Sequence, residues 1–413
     1  MKIIQFLPTL AFGDAVGNDT VALGKAIKEM GFDTHIYAEA VDSRLPKGTA
    51  SDLCSGMPDI SEDDILLYHL STGSKLNYSL ENYKCRKMMV YHNITPPHFF
   101  DGYNMTAMSN AQYGLDGMKH LSDKFDYCIA DSDFNKQDLI DAGYKCPIDV
   151  RPILIPFDDY KTKPDSNIIK KFSDGWTNII FVGRIAPNKK HQDVISAFCY
   201  YKKNINPKSR LIFVGSYGGM ERYYKRLCDY VKALELDDVI FTGHIKFPEI
   251  LAYYRVADIF LCMSEHEGFC VPLVEAMFFD VPVIAYKSCA VPYTLGGSGI
   301  LTDTKNPVEN AMLIDRLVND KSLRDFIISG QRKRLEDFSY EKIRDIFEKQ
   351  LKNGNAISIN AVLGLQEASI DVCSHDICVR LYLNNNGLDE FIGVYHLDKS
   401  SRLLKPVKIF YRN

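Results

Sequence analysis

Two acidic side chains stand eight positions apart in the segment Glu267-Gly-Phe-Cys-Val-Pro-Leu-Val-Glu275, directly after the apolar run from Val256 to Met263. The apolar run predicts a buried strand, the glycine a turn, and the residues that follow a helix. A strand, turn and helix in this order bring backbone N–H groups and carboxylates to one edge of an α/β sheet, where such proteins bind ligands. The segment therefore predicts a site for a polyhydroxylated, phosphorylated ligand.

The elements that must position this segment alternate along the chain. In the first half, a helix is predicted from Thr20 to Met30 between strands at Ile3 to Leu7 and Asp33 to Ala38. Further strands of this half are predicted at Asp64 to Tyr68, Lys87 to Tyr91, Tyr127 to Ala130 and Asp149 to Ile153. Those of the second half are predicted at Asn178 to Val182, Arg210 to Val214, Val239 to Thr242, Ile259 to Met263 and Pro282 to Ala285. The alternation predicts two α/β halves with mostly parallel sheets, facing across a cleft.

Changes of composition mark the borders between these parts. A polar stretch separates the two halves. The sequence after residue 355 is rich in alternating β-formers and contains the turn signal Asn384-Asn385-Asn386-Gly387. The predicted parts are an N-terminal Rossmann-like domain (1–157), a linker (158–177), a C-terminal Rossmann-like domain (178–335), a C-terminal helix (336–355) and a small β-rich extension (356–413) whose role the sequence leaves open.

Composition and charge restrict the class of protein. At 413 residues with 46% hydrophobic and 25% charged side chains, the chain reads as a soluble globular protein of two domains. Residues 1–157 carry 14 basic and 21 acidic side chains, and the remainder carries 35 and 32, so the second half is the better candidate for binding an anion. No dense basic stripe with interleaved aromatic residues occurs, which argues against nucleic acid as a partner.

Other features concern the compartment. The eleven cysteines are an odd number without zinc-finger or paired C-x-x-C spacing, which is typical of small buried residues in a reducing compartment. Gln5 and Pro8 interrupt the apolar N-terminus, so a strand is favoured there over a signal peptide. No apolar run approaches the roughly 18 residues that span a bilayer. We therefore expect a cytoplasmic protein whose membrane contact, if any, is at the surface.

Four stretches of the second half carry a specific resemblance. They are Phe181-Val182-Gly183-Arg184 with Pro187 and Lys189-Lys190, Phe213-Val214-Gly215-Ser216, Phe241-Thr242-Gly243-His244, and Ser264 to Phe269 continued through Glu275-Ala276-Met277. In order and spacing this set resembles the retaining glycosyltransferases of family 4, over about residues 1–350. The resemblance implies the GT-B fold, with an N-terminal acceptor domain and a C-terminal domain that binds a nucleotide-sugar donor.

The resemblance implies a role for each motif of the donor domain. Arg184 and Lys189 grip the donor diphosphate, whose growing charge in the transition state is stabilised by fixed cations, although Lys190 is an alternative to Lys189. Glu267 holds sugar hydroxyls and Glu275 accepts hydrogen bonds from the ribose, since a carboxylate suits a vicinal diol. The remaining donor-binding positions are Gly183, Gly215, Phe269, Cys270 and Val271. Cys270 replaces the more usual glycine, which places a side chain beside the sugar.

The first half contributes three further candidate positions. The resemblance places the loop with Asp14 and Gly17 over the donor diphosphate and the acceptor, although a plain tight turn explains these residues equally well. His92 follows a predicted strand and matches the histidine that family members point at the donor sugar. Asp131-Ser132-Asp133 has the Asp-x-Asp pattern of a metal-binding pair, but we interpret Ser132 or Asp133 as a helix N-cap. We expect neither a bound metal nor another cofactor.

The implied activity is a hexosyl transfer with retention of configuration. No carboxylate stands out as a covalent nucleophile, so a same-face substitution assisted by the departing phosphate is favoured. The acceptor is expected to be a hydroxyl of a glycan or lipid-linked glycan in surface polysaccharide synthesis, at the inner face of the cytoplasmic membrane. Mannose from GDP-mannose is the leading candidate donor. A nucleotide-sugar 2-epimerase and a non-catalytic carbohydrate-binding subunit remain alternatives.

Overall fold

The structure is a computed structural model that describes residues 1–354, 357–358, 368–372, 378–385, 388–398 and 403–409. Within these residues the chain forms two parallel sheets and a smaller antiparallel sheet. Helices cover the parallel sheets, as the alternation of apolar runs predicts. Helices and strands are numbered below in chain order.

The N-terminal domain is built on a parallel sheet. Its strands are β1 (Lys2–Leu10), β2 (Asp33–Val41), β3 (Ser51–Asp52), β4 (Ile65–Leu70), β5 (Arg86–Tyr91), β6 (Tyr127–Ala130) and β7 (Ile148–Val150), and its helices are α1 (Ala15–Glu29), α2 (Met105–His120) and α3 (Asp133–Asp141). The described strands lie in the order β3-β2-β1-β4-β5-β6-β7. Every residue of β4 is buried, because a parallel sheet covered on both faces requires a continuous apolar strand.

The C-terminal domain repeats this plan. Its helices are α4 (Ser166–Phe172), α5 (His191–Asn204), α6 (Glu221–Ala233), α7 (Phe247–Val256), α8 (Val271–Phe278), α9 (Val291–Leu295), α10 (Pro307–Asn319) and α11 (Lys321–Leu335). Its strands are β8 (Thr177–Val182), β9 (Ser209–Val214), β10 (Val239–Phe241), β11 (Ile259–Cys262), β12 (Val283–Tyr286) and β13 (Ile300–Thr302). The described order is β10-β9-β8-β11-β12-β13, and all pairs are parallel. Ligands of such sheets bind at the carboxyl ends of the strands.

The last described helix, α12 (Tyr340–Gly354), returns to the N-terminal domain. Its buried side chains Ile343 and Phe347 belong to the same core cluster as Ile3 of β1 and Leu23 of α1. The helix predicted in residues 336–355 therefore completes the first domain after the chain has passed through the second. None of the helices within the described ranges is both long enough and apolar enough to cross a membrane.

Two elements differ from the sequence prediction. Helix α1 begins at Ala15 rather than at Thr20, because the side chain of Asp14 accepts a hydrogen bond from Gly17 N and caps a turn that the apolar pattern alone does not reveal. The stretch predicted as the linker 158–177 contains helix α4, whose Phe172 is buried in the core of the second domain. Much of this polar stretch is thus an integral part of the C-terminal domain.

The region after α12 contains strands, as its alternating pattern suggests. The described strands are β14 (Ile357–Ser358), β15 (Ala368–Val372), β16 (Cys378–Asn385), β17 (Leu388–Asp398) and β18 (Leu403–Ile409). They form an antiparallel sheet in the order β14-β18-β17-β16-β15. The predicted turn residues Asn386 and Gly387 lie outside the described residues, and the strands on either side pair with Asn385 opposite Leu388.

Candidate active site

The carboxyl ends of the two parallel sheets face each other across a cleft of about 180 Å³. The cleft is lined by residues that follow β5, β8 and β11, and by the 3-10 turn before α5. All four predicted catalytic residues line the cleft, namely His92, Arg184, Lys189 and Glu267. Residues that the sequence did not single out line it as well. The complete lining consists of His92, Asn93, Thr95, Phe100, Arg184, Ala186, Asn188, Lys189, His266, Glu267 and Gly268.

Two glycines allow the loops after β8 and β9 to lie against each other. The N–H of Gly183 donates to the carbonyl of Val214 at 2.9 Å, and a Cβ on Gly215 would lie 2.0 Å from the carbonyl oxygen of Gly183. Gly215 has φ 153°, which side chains rarely adopt. We conclude that Gly183 and Gly215 set the close approach of the loops. That packing places Arg184 at the cleft, where its Nη2 donates to Gly218 O at 3.1 Å.

Lys189 and Glu267 form the ion pair at the centre of the cleft. Lys189 Nζ lies 2.5 Å from Glu267 Oε2, and only 5% of the Glu267 side chain is exposed. Burial disfavours the charged ammonium of Lys189, but the attraction of the Glu267 carboxylate outweighs the effect of burial. The pKa of Lys189 is therefore raised. The other oxygen, Glu267 Oε1, is buried and has no hydrogen-bond partner in the described part of the chain. A ligand hydroxyl would satisfy it.

Lys190 is directed away from this pair. Its backbone is left-handed, with φ 50°, and its ammonium lies 2.8 Å from Glu265 Oε2. Lys305 also pairs with Glu265, at 2.6 Å. Two adjacent lysines therefore serve two different carboxylates, and only Lys189 lines the cleft. This geometry favours Lys189 over Lys190 as the lysine that contacts a bound diphosphate.

The two lysines make a matched pair for an experiment. We expect Lys189→Ala to lower the transfer rate by about 10- to 100-fold, since a hydrogen bond to a charged group contributes about 1.5–3 kcal/mol. The effect of Lys190→Ala should stay below about fivefold, because a partly exposed ion pair contributes about 0.2–1 kcal/mol. Steady-state rates of both variants at saturating donor check this. Equal losses in both variants would contradict the assignment.

His92 lies in a buried chain of side chains. Its Nδ1 is 2.7 Å from Asp131 Oδ2 and its Nε2 is 2.9 Å from His69 Nδ1, while His69 Nε2 lies 3.0 Å from Gln5 Oε1. Burial disfavours the imidazolium, but Asp131 offsets it and raises the pKa of His92. The contact of His92 with the donor sugar stays a prediction. Both ring nitrogens face protein groups, so contact with a donor sugar would require the ring to leave one partner.

Asp131 and Ser132 connect β6 to α3. The hydroxyl of Ser132 accepts a hydrogen bond from Asn135 N at 3.2 Å, which confirms the predicted N-cap. The same hydroxyl donates to the carbonyl of Gly268 in the other domain at 2.8 Å. Asp131 is buried and is engaged by His92 through Oδ2, whereas Asp133 is exposed at the first position of α3.

The two domains lie close together at Gly268. A Cβ at this position would lie 2.4 Å from Asn93 Cβ and 2.9 Å from the carbonyl oxygen of His92. Beside it, His266 Nε2 lies 2.6 Å from Asn93 Oδ1. Burial lowers the pKa of His266 to about 4, so the neutral ring donates this hydrogen bond at ordinary pH. The structure therefore depends on a glycine for the closed contact between the domains.

The residues after Gly268 form the start of α8. Phe269 is buried against Phe338, and Cys270 is left-handed with φ 71° immediately before the first residue of the helix, Val271. Within the described residues, no acceptor faces the N–H groups of these three positions. Unpaired N–H groups at a helix N-terminus attract an anion. The arrangement suits the donor-binding role predicted for Phe269, Cys270 and Val271.

Glu275 occupies the second turn of α8 and is held by two tyrosines. Tyr160 Oη donates to Oε1 at 2.7 Å, and Tyr254 Oη donates to Oε2 at 2.6 Å. Burial raises the pKa of Glu275, and the two hydroxyls partly offset this. Each oxygen keeps one further acceptor position. The predicted contact with a ribose therefore uses a carboxylate whose orientation the tyrosines already fix.

Asp14 and Gly17 lie at the carboxyl end of β1. Asp14 Oδ2 accepts a hydrogen bond from Gly17 N at 3.2 Å and caps α1. Gly17 lies inside the helix, where a Cβ would come within 2.9 Å of Ala11 O. The N–H of Gly17 is thus engaged by Asp14. The structure assigns both residues a part in beginning the helix.

Substitution of Asp14 separates the capping role from a charge-dependent role. We expect Asp14→Ala to lower the free energy of unfolding by about 1 kcal/mol, the usual contribution of an N-cap, and Asp14→Asn to leave it nearly unchanged because asparagine caps equally well. Urea denaturation followed by circular dichroism measures both. If Asp14→Asn were as unstable as Asp14→Ala, capping would not be the reason.

Several residues of the site carry no recognisable motif. Tyr160 and Tyr254 contact Glu275 from other elements, and Asn93 contacts His266 of the stretch from Ser264 to Phe269. A single asparagine or tyrosine gives no signal in a sequence. Among these residues, Asn93 alone has a position that could have suggested a role in the site, because it follows His92 at the end of β5. Such residues become visible when the fold brings them to the strand ends.

A larger cavity, of about 440 Å³, lies between α1, α12 and the amino ends of β1 and β4. Its lining includes Met30, Phe32, Ile65 and Leu351, and it is remote from the paired carboxylates. Parallel sheets bind ligands at the opposite edge. We therefore place the candidate active site in the smaller cleft between the domains.

A family model supports this placement. Residues 164–334 match the family described as Glycosyl transferases group 1. The matched range contains Arg184, Lys189, Glu267 and Glu275, and it covers the side of the cleft that the C-terminal domain forms. The chain spans less than half of the length of the first curated relatives that it matches.

Two curated relatives and one solved structure show what the chain resembles. It is 20% identical over 271 residues to the O-antigen chain mannosyltransferase B of Escherichia coli, covering 64% of this chain and 70% of that protein. It is 26% identical over 196 residues to the GDP-mannose-dependent alpha-mannosyltransferase of Mycolicibacterium smegmatis, covering 45% and 46%. The crystal structure of Alr3699/HepE of Anabaena with UDP-glucose matches with a TM-score of 0.66 at 18% identity, covering 85% and 99%. This confirms the predicted GT-B fold.

Proposed function

We propose that this chain, whose residues 164–334 form a glycosyl transferases group 1 domain, is a retaining hexosyltransferase that uses a nucleotide-diphosphate sugar. The observation that carries the proposal is the ion pair of Lys189 and Glu267 in the cleft, with Glu267 Oε1 unpartnered among the described residues. One carboxylate oxygen is thereby oriented by a cation, and the other is free to accept a hydrogen bond from a sugar hydroxyl.

Different groups of the site bind different parts of the donor. Arg184 and Lys189 bind the diphosphate and stabilise the charge that grows on it as the sugar leaves. Glu267 holds the sugar, Glu275 the ribose, and the N–H groups at the start of α8 face the phosphates. The departing phosphate helps to deprotonate the acceptor hydroxyl on the same face of the sugar. Transfer therefore proceeds with retention and without a covalent intermediate.

The cleft holds two cationic side chains that can neutralise the donor diphosphate without a metal ion. Arg184 supplies a planar fork for two phosphate oxygens and Lys189 a point charge, which are the roles that a divalent ion fills elsewhere. We therefore propose that transfer needs no metal ion. A chelator such as EDTA should not lower the rate in a transfer assay.

Entry of the donor requires the domains to separate. The cleft of about 180 Å³ is smaller than the roughly 300–1,000 Å³ typical of small-molecule sites, so the described structure is a closed arrangement. The contacts at Gly268, Asn93 and His266 would open and re-form in each cycle. Closure then excludes water from the reacting sugar.

Mannose from GDP-mannose is the donor that we propose first. Support comes from the two relatives whose names include mannosyltransferase, one of them GDP-mannose-dependent. The acceptor would be a hydroxyl of a glycan or lipid-linked glycan in surface polysaccharide synthesis. The enzyme would then work in the cytoplasm at the inner face of the membrane, through peripheral contact.

A panel of nucleotide sugars tests the proposal. A donor that binds the folded chain raises its melting temperature by mass action, so the full chain is melted with GDP-mannose, UDP-glucose and related compounds. The stabilising donor is then incubated with and without candidate acceptors. Stabilisation by one donor, and product only with an acceptor, supports a transferase. Product without an acceptor would indicate an epimerase, and no stabilisation by any donor would contradict the proposal.

A further inference from the structure

Two thiols and a carboxylate converge behind the Lys189–Glu267 ion pair. Cys262 is the last residue of β11, and Cys270 directly precedes α8. One ligand atom from each of Cys262, Cys270 and Glu267 lies within 4.8 Å of the other two, and all three residues are buried. This juxtaposition arises from the fold, since the cysteine spacing matches no metal-binding motif.

The carboxylate of this cluster offers an atom that no protein group uses in the described structure. Glu267 Oε2 binds Lys189, whereas Oε1 is buried without a hydrogen-bond partner. A buried acceptor of this kind is costly unless a ligand satisfies it. The two sulfurs lie within 4.8 Å of one oxygen of this carboxylate, so the carboxylate and the thiols can share one ligand.

The donor set suits a thiophilic divalent cation. Thiolates and carboxylates are both zinc ligands, and thiolates select soft or borderline metals. A tetrahedral ion with Zn–S distances of about 2.3 Å holds two sulfurs about 3.8 Å apart, so the observed spread of up to 4.8 Å requires only small side-chain movements. Three protein ligands leave the fourth position to water.

The charges around the cluster also balance. The three negative charges of two thiolates and one carboxylate are compensated by the two positive charges of the cation and by the ammonium of Lys189. A cysteine binds a metal ion as the thiolate, so the protons of both thiols must leave. Metal binding therefore releases protons and weakens as the pH falls.

We propose that Cys262, Cys270 and Glu267 form a binding site for one thiophilic divalent cation such as Zn²⁺. Occupation of the site withdraws Glu267 from the cleft and inhibits the enzyme. The metal binding stands on the ligand geometry alone, whereas the inhibition rests on the proposed function.

Zinc titration of the full chain tests the site. The protein is reduced and treated with a chelator, which is removed, and ZnCl₂ is added in competition with a chromophoric chelator. We expect one zinc per chain, with affinity reduced at least about 100-fold by Cys262→Ser or by Cys270→Gly, since even outer-shell changes cost 10- to 100-fold. Cys270→Gly retains the fold because glycine suits the φ of 71° at this position.

Cys128 and Cys146 provide a matched control. Their sulfurs lie 3.4 Å apart in the N-terminal domain, and they belong to no three-ligand group within the described residues. The double variant Cys128→Ser/Cys146→Ser should therefore keep the tight zinc site. Zinc affinity that is unchanged in Cys262→Ser and Cys270→Gly, or lost equally in the control, overturns the proposal. A Cys262–Cys270 disulfide in the untreated, metal-free protein would overturn it too.

Two further readouts separate this site from the proposed function. Co²⁺ should give thiolate-to-metal charge-transfer absorption that Cys262→Ser abolishes, and no such absorption in the wild type would refute thiolate ligation. Zinc should inhibit transfer by the wild type more than by Cys262→Ser, each compared with its own metal-free rate. Zinc binding by a protein whose metal-free form has no transferase activity supports the site and contradicts the proposed function. Binding that leaves transfer unaffected overturns the inhibitory role.

Discussion

Glu267→Ala is expected to lower the transfer rate at least about 100-fold, the usual effect of removing one preorganised group from an active site. The substitution removes the hydrogen-bond acceptor for the donor sugar and leaves Lys189 without its partner at 2.5 Å. The maximal rate with saturating donor and a chelator present measures the effect. The chelator keeps the proposed zinc site empty, so that zinc inhibition does not affect the comparison.

Glu265 is the matched control for this substitution. It lies two positions away in the same loop, is paired with Lys190 and Lys305, and does not line the cleft. We expect Glu265→Ala to change the rate by less than about fivefold, as is usual for a partly exposed ion pair. A Glu267→Ala enzyme that folds and retains near-normal transfer would falsify the assignment of the donor site.

Gly268→Ala is expected to reduce the rate by about 100-fold through the geometry of the closed state. The new Cβ would lie 2.4 Å from Asn93 Cβ and 2.9 Å from a backbone oxygen, so the domains cannot close without a shift. A misplacement of about 1 Å at the reacting groups can cost about 100-fold in rate. Because the clash is between domains, each domain should keep its own stability.

Two measurements separate this effect from misfolding. Gly330→Ala is the control, since the nearest atom to its Cβ is 4.0 Å away and the glycine lies within α11. Its rate and melting temperature should match the wild type or exceed them slightly. Small-angle scattering with a bound donor should show a less compact Gly268→Ala protein. If Gly268→Ala closed and reacted normally, the contact at Asn93 would not govern closure.

The positions of the site residues were predictable because they depend on local patterns. Apolar runs of four to six residues identify buried strands, and Arg184 and Glu267 each lie within five positions of the end of such a strand. In parallel sheets the carboxyl ends of strands meet at one edge, so strand-end residues come together whatever the details of packing. The pattern also predicted a helix near residues 340–352, although not that α12 returns to the first domain.

The partners of these residues could not be predicted in the same way. Adjacent lysines look equivalent in a sequence, but the left-handed backbone of Lys190 directs it to Glu265 while Lys189 reaches Glu267. Tyr160 contacts Glu275 from 115 positions away, within a stretch predicted as a linker. Hydrogen bonds between such distant positions follow from packing, which a local pattern does not encode.

The sequence by itself determined the α/β class, the two domains, and the residues at the strand ends, because hydrophobic periodicity is a local property of the chain. The tertiary structure alone decided that both ring nitrogens of His92 face Asp131 and His69, that Asp14 caps α1 with Gly17, and that Cys270 meets Cys262 beside Glu267. These outcomes depend on distances of a few ångströms between elements. Such distances are set by the packing of the whole fold.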